Sequence, residues 1–177
     1  YFSLNSKKSK WIEDSNQSIK LILCHSLGTH LLESNILMEA SHVVLINSFN
    51  NFIPKNQGRK ITLKKLALME KKIRNNEIKS LIEQFLYRSF LPNPINKNIK
   101  DKYITNYKKI NNNLLLEDFK SLFIENRDKK LFSDESNLLI IKSKNDYILD
   151  SESYTELINF LDKTQRLKPA IIELKDQ

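Results

Sequence analysis

Ser26 stands where two sequence patterns meet. Before it runs Leu21-Ile22-Leu23-Cys24-His25, an apolar stretch of strand character. After it come Leu27-Gly28-Thr29-His30-Leu31-Leu32, the opening of an apolar-periodic helix. A serine in a tight strand-to-helix turn can carry out acyl transfer. The turn exposes Oγ and sets the next amide, that of Leu27, at a helix N-terminus where it can stabilise an oxyanion. A hydroxyl is a poor nucleophile until a base takes its proton, so such a serine needs a base close by. The turn also demands small residues two places to either side. Gly28 meets that demand, and Cys24 stands where the G-x-S-x-G pattern has its first glycine. The plainer alternative is a serine capping an ordinary helix; the strand ahead of it favours the turn.

The chain has three histidines and one cysteine. His25 adjoins Ser26, and neighbours on such a turn point apart, so His25 is expected at the pocket mouth or packed under neighbouring helices. His30 falls on the helix body and is expected to be structural. His42 opens a strand away from the chemistry. None of the three suits the role of base. Cys24 is expected to point back into the sheet.

The elements that must position Ser26 follow from periodicity. Ile19–Cys24 reads as a buried strand, Leu27–Ala40 as a helix with Leu27, Leu31, Leu32 and Ile36 on one face, and Val43–Asn47 as a second buried strand. A βαβ unit of this kind requires parallel strands. Four helices are then expected over Ile61–Arg74, Glu77–Phe90, Asn98–Ile110 and Leu114–Glu125, with Pro92 and Pro94 breaking the second from the third. Asn137–Ile141 reads as a third strand and Lys142–Asp150 as a loop. A helix from Ser151 through Leu161 follows, then a last strand, Ala170–Leu174. Tyr1–Ser18 is polar, with a short amphipathic piece around Trp11-Ile12. The expected architecture is α/β. Residues 1–53 and 131–177 form a parallel-sheet core, and residues 54–130 form an inserted four-helix cap.

Composition narrows the chemistry. The chain has 177 residues, 40 % of them hydrophobic, enough for one domain with a core. No apolar run approaches ~18 residues, so no membrane span is expected, and no signal peptide is recognised at the start. A lone cysteine suits a reducing cytoplasm. No cluster has metal-ligand spacing, and two glycines cannot build a phosphate-cradling loop; neither metal nor cofactor is expected. Net charge is +8 and unevenly spread: residues 54–130 hold 19 Lys/Arg against 8 Asp/Glu. A basic block of this size suits an acidic partner or is simply a solvated helical surface. Nucleic acid ranks low, because no stacking aromatics interleave with the lysines.

The Ser26 turn, the helical insertion and Asp146 after the next strand together resemble an α/β-hydrolase, whose triad runs Ser, Asp, His along the chain. The acid loop of that superfamily is matched here by Asp146-Tyr147-Ile148-Leu149, with Asp150 in place of its proline. The resemblance runs over essentially the whole chain and corresponds to strands five to eight of that fold. It implies that Asp146 orients the triad histidine and stabilises its imidazolium. That histidine is expected just beyond Gln177, and the chain is expected to be an internal fragment, inactive by itself. Val43-Val44-Leu45-Ile46-Asn47-Ser48-Phe49 with the basic cap, and the helix Ile78–Leu86, resemble the pimeloyl-acyl-carrier-protein methyl ester esterases of biotin synthesis. That resemblance implies carboxylesterase activity and an acidic carrier protein held by the cap. Arg74 and Arg88 come first as contacts because arginine pairs with phosphate or carboxylate bidentately. Lys64, Lys65, Lys71, Lys72 and Lys79 follow. The alternatives are a general small-molecule carboxylesterase or lactonase, and a hydrolase-fold interaction module without catalysis.

Overall fold

A computed structural model of the chain describes residues 19–106, 111–124 and 130–175. The segment around Trp11-Ile12 and the far ends of the helices expected over Asn98–Ile110 and Leu114–Glu125 lie outside the described residues. Among the described residues four strands form one sheet in the order β1 (Leu21–His25), β2 (His42–Ile46), β3 (Asn137–Ser143), β4 (Ala170–Leu174), and every neighbouring pair is parallel. Parallel neighbours need crossovers. The first is α1 (Gly28–Leu31) with α2 (Ser34–Glu39), and the last is α7 (Ser151–Thr164). The middle one holds α3 (Arg59–Arg74), α4 (Ile78–Phe90), α5 (Lys97–Asn106) and α6 (Asn112–Lys120).

Register explains the core. Ile22, Val43 and Leu138 form one row across the sheet, and Cys24, Leu45 and Ile140 another. Both rows are buried on the same face, against Ile36 and Leu37 of α2 and Leu157 and Leu161 of α7. Side chains of the intervening rows point the other way. On that second face Leu21 and Leu23 are exposed. β1, β2 and β3 are therefore buried on one face, where the apolar runs suggest burial on both, and β4 is exposed along its whole length.

The helix expected over Leu27–Ala40 is broken. Leu32 and Glu33 are extended, with ψ of 146° and 143°. The break changes the helical phase, so that Ile36 and Leu37 bury while Leu31, expected on the apolar face, is exposed.

The helices between β2 and β3 have their own apolar cluster: Ile53, Leu66, Ile73, Ile78, Leu81 and Phe119. α6 starts where Asn111 caps it, its side chain accepting from the amides of Asn113 and Leu114. A 3-10 turn over Ser121–Phe123 takes up the end of the longer helix expected there. The root of the insertion is bonded to α7. Glu152 accepts the Gly58 N–H at 3.0 Å, Glu156 accepts the Lys55 N–H at 2.6 Å, and Ser153, fully buried, donates to the Phe52 carbonyl at 3.1 Å. Asp150 caps α7 by accepting the Glu152 N–H at 3.0 Å. No helix among the described residues is long and apolar enough to cross a membrane.

Candidate active site

Ser26 follows β1 directly and has φ of +53°. That left-handed conformation costs an L-residue roughly 1–2 kcal/mol, so it persists only where the surroundings enforce it. Two contacts do so. The Ser26 N–H donates to the Ile46 carbonyl at 2.9 Å. Beneath it the chain folds back so tightly that a Cβ built on Gly28 would lie 3.2 Å from Cys24 Cβ. Leu27 forms the N-cap of α1, its amide next to the serine. α1 is only four residues long, so the Leu27 amide counts there as a hydrogen-bond donor more than as the end of a dipole.

Asp146 lies three residues past the end of β3. Its Oδ1 accepts the amides of Ile148 at 2.8 Å and Leu149 at 2.9 Å. These bonds fold the loop around the carboxylate and leave Oδ2 as the oxygen for another donor. In a parallel sheet all C-terminal ends lie on one edge, so Ser26 and Asp146 leave the same edge. β2 alone separates their strands, which puts those strands two spacings apart, about 10 Å.

Two residues that the sequence reading passed over lie between them. Asn47 has φ of +42°. Its Oδ1 accepts the Ser143 N–H at 2.8 Å and its Nδ2 donates to Ser143 Oγ at 3.1 Å. An asparagine ending a β-branched run was the available signal, since asparagine is among the few residues that tolerate this conformation. Ser48, which is buried beside the half-buried Asn47, donates to the carbonyls of Cys24 and Ile46, both at 3.3 Å.

The histidines are dispersed. His25 ends β1 and is exposed. His30 Nε2 lies 3.3 Å from the Phe49 carbonyl, with the two rings 5.2 Å apart. His42 Nδ1 bonds Ser41 at the opposite edge of the sheet. Cys24 is buried in the sheet core.

The basic residues of the insertion do not form one face. Lys64 and Lys71 share a stripe of α3, and Lys65 and Lys72 share another, because seven residues make about two turns. Lys72 is tied to α4 through Ser80 Oγ at 3.0 Å. Arg74 binds Glu70 on its own helix, through Nε at 3.0 Å and Nη2 at 2.6 Å. Lys79 and Arg88 project from opposite sides of α4, being nine residues apart. An open groove of about 570 Å³ runs along α3, lined by Asn56, Arg59, Lys60, Leu63, Lys64 and Ala67. It includes no residue of the Ser26 turn.

Two carboxyls on the elements that follow the Asp146 loop are held low by their partners. The Gly58 amide holds the Glu152 carboxyl below its ordinary range. Lys142 does the same for Glu173, joining β3 to β4. Burial, with Glu173 nearby, pushes the Tyr154 phenol up.

No protein-family model and no curated protein sequence matches this chain. Solved structures do. The hydrolase olei00960 from Oleispira antarctica superposes with a TM-score of 0.62 at 12 % identity, over 89 % of this chain and 56 % of that one. A bromoperoxidase from Bacillus anthracis gives 0.66 at 10 % identity, over 88 % and 58 %. The chain thus spans little more than half the length of either. The sheet order, the strand-to-helix turn at Ser26 and these superpositions together identify the architecture as part of an α/β-hydrolase fold.

Proposed function

We propose that the protein is a serine carboxylester hydrolase acting through Ser26. The observation that supports this reading is the strained backbone of Ser26 at the same sheet edge as the Asp146 loop. An imidazole with a hydrogen bond at each end spans about 8 Å, which suits two strands separated by one neighbour. His25, His30 and His42 do not supply that imidazole. With it in place, Ser26 Oγ loses its proton to the ring and attacks the ester carbonyl. The Leu27 amide stabilises the oxyanion, the alcohol leaves with the ring's proton, and water releases the acyl group by the reverse transfer. Asp146 holds the ring and stabilises its charged form. The reaction needs no cofactor.

As substrate we assign the methyl ester of a pimeloyl chain on an acyl-carrier protein, in the biotin route of the cytoplasm. The basic insertion and the single buried thiol support that assignment. On this reading residues 54–130 serve as the cap over the core formed by residues 1–53 and 131–177. The experiment is hydrolysis of carrier-bound and free methyl esters by the protein expressed from its full reading frame. Ser26→Ala is expected to lower turnover on the order of 10⁶-fold; retention of activity in that variant ends the hydrolase reading. A second reading, a general carboxylesterase or lactonase, is favoured by the engagement of Arg74 with Glu70 and by the divergence of Lys79 and Arg88. Equal rates on carrier-bound and free esters would select it.

A further inference from the structure

The peptide unit joining Ile46 to Asn47 faces both halves of the candidate site. Its carbonyl accepts the Ser26 N–H at 2.9 Å, and its N–H donates to the Ile141 carbonyl at 2.9 Å. Asn47 then turns left-handed, and the backbone of β2 departs. β3 runs on to Ser143, and among the described residues no strand backbone lies beside it on that flank. The Asn47 side chain takes the place of the missing peptide: its amide oxygen accepts the Ser143 N–H and its amide nitrogen donates to Ser143 Oγ. On the other flank the Lys144 N–H donates to the Leu174 carbonyl at 2.9 Å. The loop carrying Asp146 therefore leaves the sheet from two pinned residues.

The geometry points to Asn47 as a positioning residue: it fixes the spacing between the nucleophile turn and the acid loop and touches neither substrate nor base. This inference rests on the hydrolase reading. The chemistry needed at position 47 is specific. The residue must accept φ near +42° and reach Ser143 with two polar atoms. Glycine keeps the first property and loses the second. Aspartate keeps both, because the Ser143 hydroxyl can turn to donate to a carboxylate.

The test uses the protein from its full reading frame and a p-nitrophenyl ester. Asn47→Gly is expected to lower kcat by about 10²-fold, the scale of an ångström-level misplacement, with KM unchanged. Asn47→Asp is expected to restore most of kcat. Amide exchange supplies an independent readout: in Asn47→Gly the Ser143, Ile148 and Leu149 amides should exchange faster, and those of Leu45 and Ile140 should not. Should Asn47→Gly fail to fold, Ser143→Ala removes one of the two bonds and is expected to give a smaller fall in kcat of the same kind. An active wild type whose kcat survives these changes overturns the inference alone. Faster exchange throughout the sheet overturns it as well, by making Asn47 a general structural residue. Hydrolysis that Ser26→Ala leaves unaltered overturns the hydrolase reading and this inference with it.

Discussion

Gly28 lies against Cys24 so closely that a methyl group on its Cα would stand 3.2 Å from Cys24 Cβ and 3.6 Å from Sγ. The first atom is fixed to the strand backbone and cannot swing aside. Gly28→Ala is therefore expected to destabilise the fold by about 1–3 kcal/mol, the cost of overpacking. Because Cβ is the obstacle, Cys24→Gly should absorb part of that loss. A double-mutant cycle by denaturant unfolding is expected to show a coupling of about 1 kcal/mol. Strict additivity would mean that the two residues do not meet.

The strain at Ser26 gives a second expectation. Alanine at position 26 keeps the left-handed penalty, and glycine removes it. Ser26→Gly should therefore be more stable than Ser26→Ala by about 1 kcal/mol, although both lack the hydroxyl. Melting temperatures of the two variants decide the matter, and equal values would mean that the turn relaxes without its serine.

At the root of the insertion, a Cβ on Gly58 would lie 2.7 Å from Asp150 Oδ2. The Asp150 carboxylate caps α7 through the Glu152 amide, so moving it aside forfeits a cap worth about 1 kcal/mol. Gly58→Ala and Asp150→Ala are each expected to cost about that much. Together they should cost less than their sum, since the clash disappears with the carboxylate. Chemical denaturation of the three variants measures this.

Glu152 adds a pH dependence. Its carboxyl lies below the ordinary value of 4.5 because it accepts the Gly58 N–H. A group whose pKa falls on folding contributes stability that is complete above the ordinary value and disappears as pH drops through the lowered one. The bond to the insertion should thus persist at neutral pH and fade on acidification. Melting curves from pH 7 down to the acid limit are expected to fall less steeply for Glu152→Gln than for wild type. Glu173 and Asp134, also lowered, stay common to both proteins.

For the carrier-bound substrate, Lys64→Glu with Lys71→Glu reverses one exposed stripe of α3. If that stripe meets an acidic partner, KM for the carrier-bound ester rises, the rate on the free ester is unchanged, and the difference shrinks with added salt. An equal effect on both esters would remove the partner from that stripe.

Local features of this chain were legible; distant ones were not. The Ser26–Gly28 turn could be read because its requirement for a serine flanked by small residues is written within five positions. The four strands and the insertion helices followed from periodicity. The break at Leu32–Glu33 did not, because it depends on how Ile36 and Leu37 reach the sheet. The sequence places Asn47 at the end of a strand and hides its role, since its partner Ser143 is 96 residues away. Gly58 carried no signal either: its need to be small comes from Asp150, across the whole insertion.

The attachment of the insertion to α7 has a mechanical consequence. α7 begins at Ser151, five residues after Asp146, and the hydrogen bonds from Glu152, Ser153 and Glu156 fasten it to residues 52–58. Residues 52–58, which lead into α3, are thus braced directly against the helix that follows the acid loop. A shift at the root of the insertion is expected to reach the Asp146 loop through α7 and not along the intervening chain.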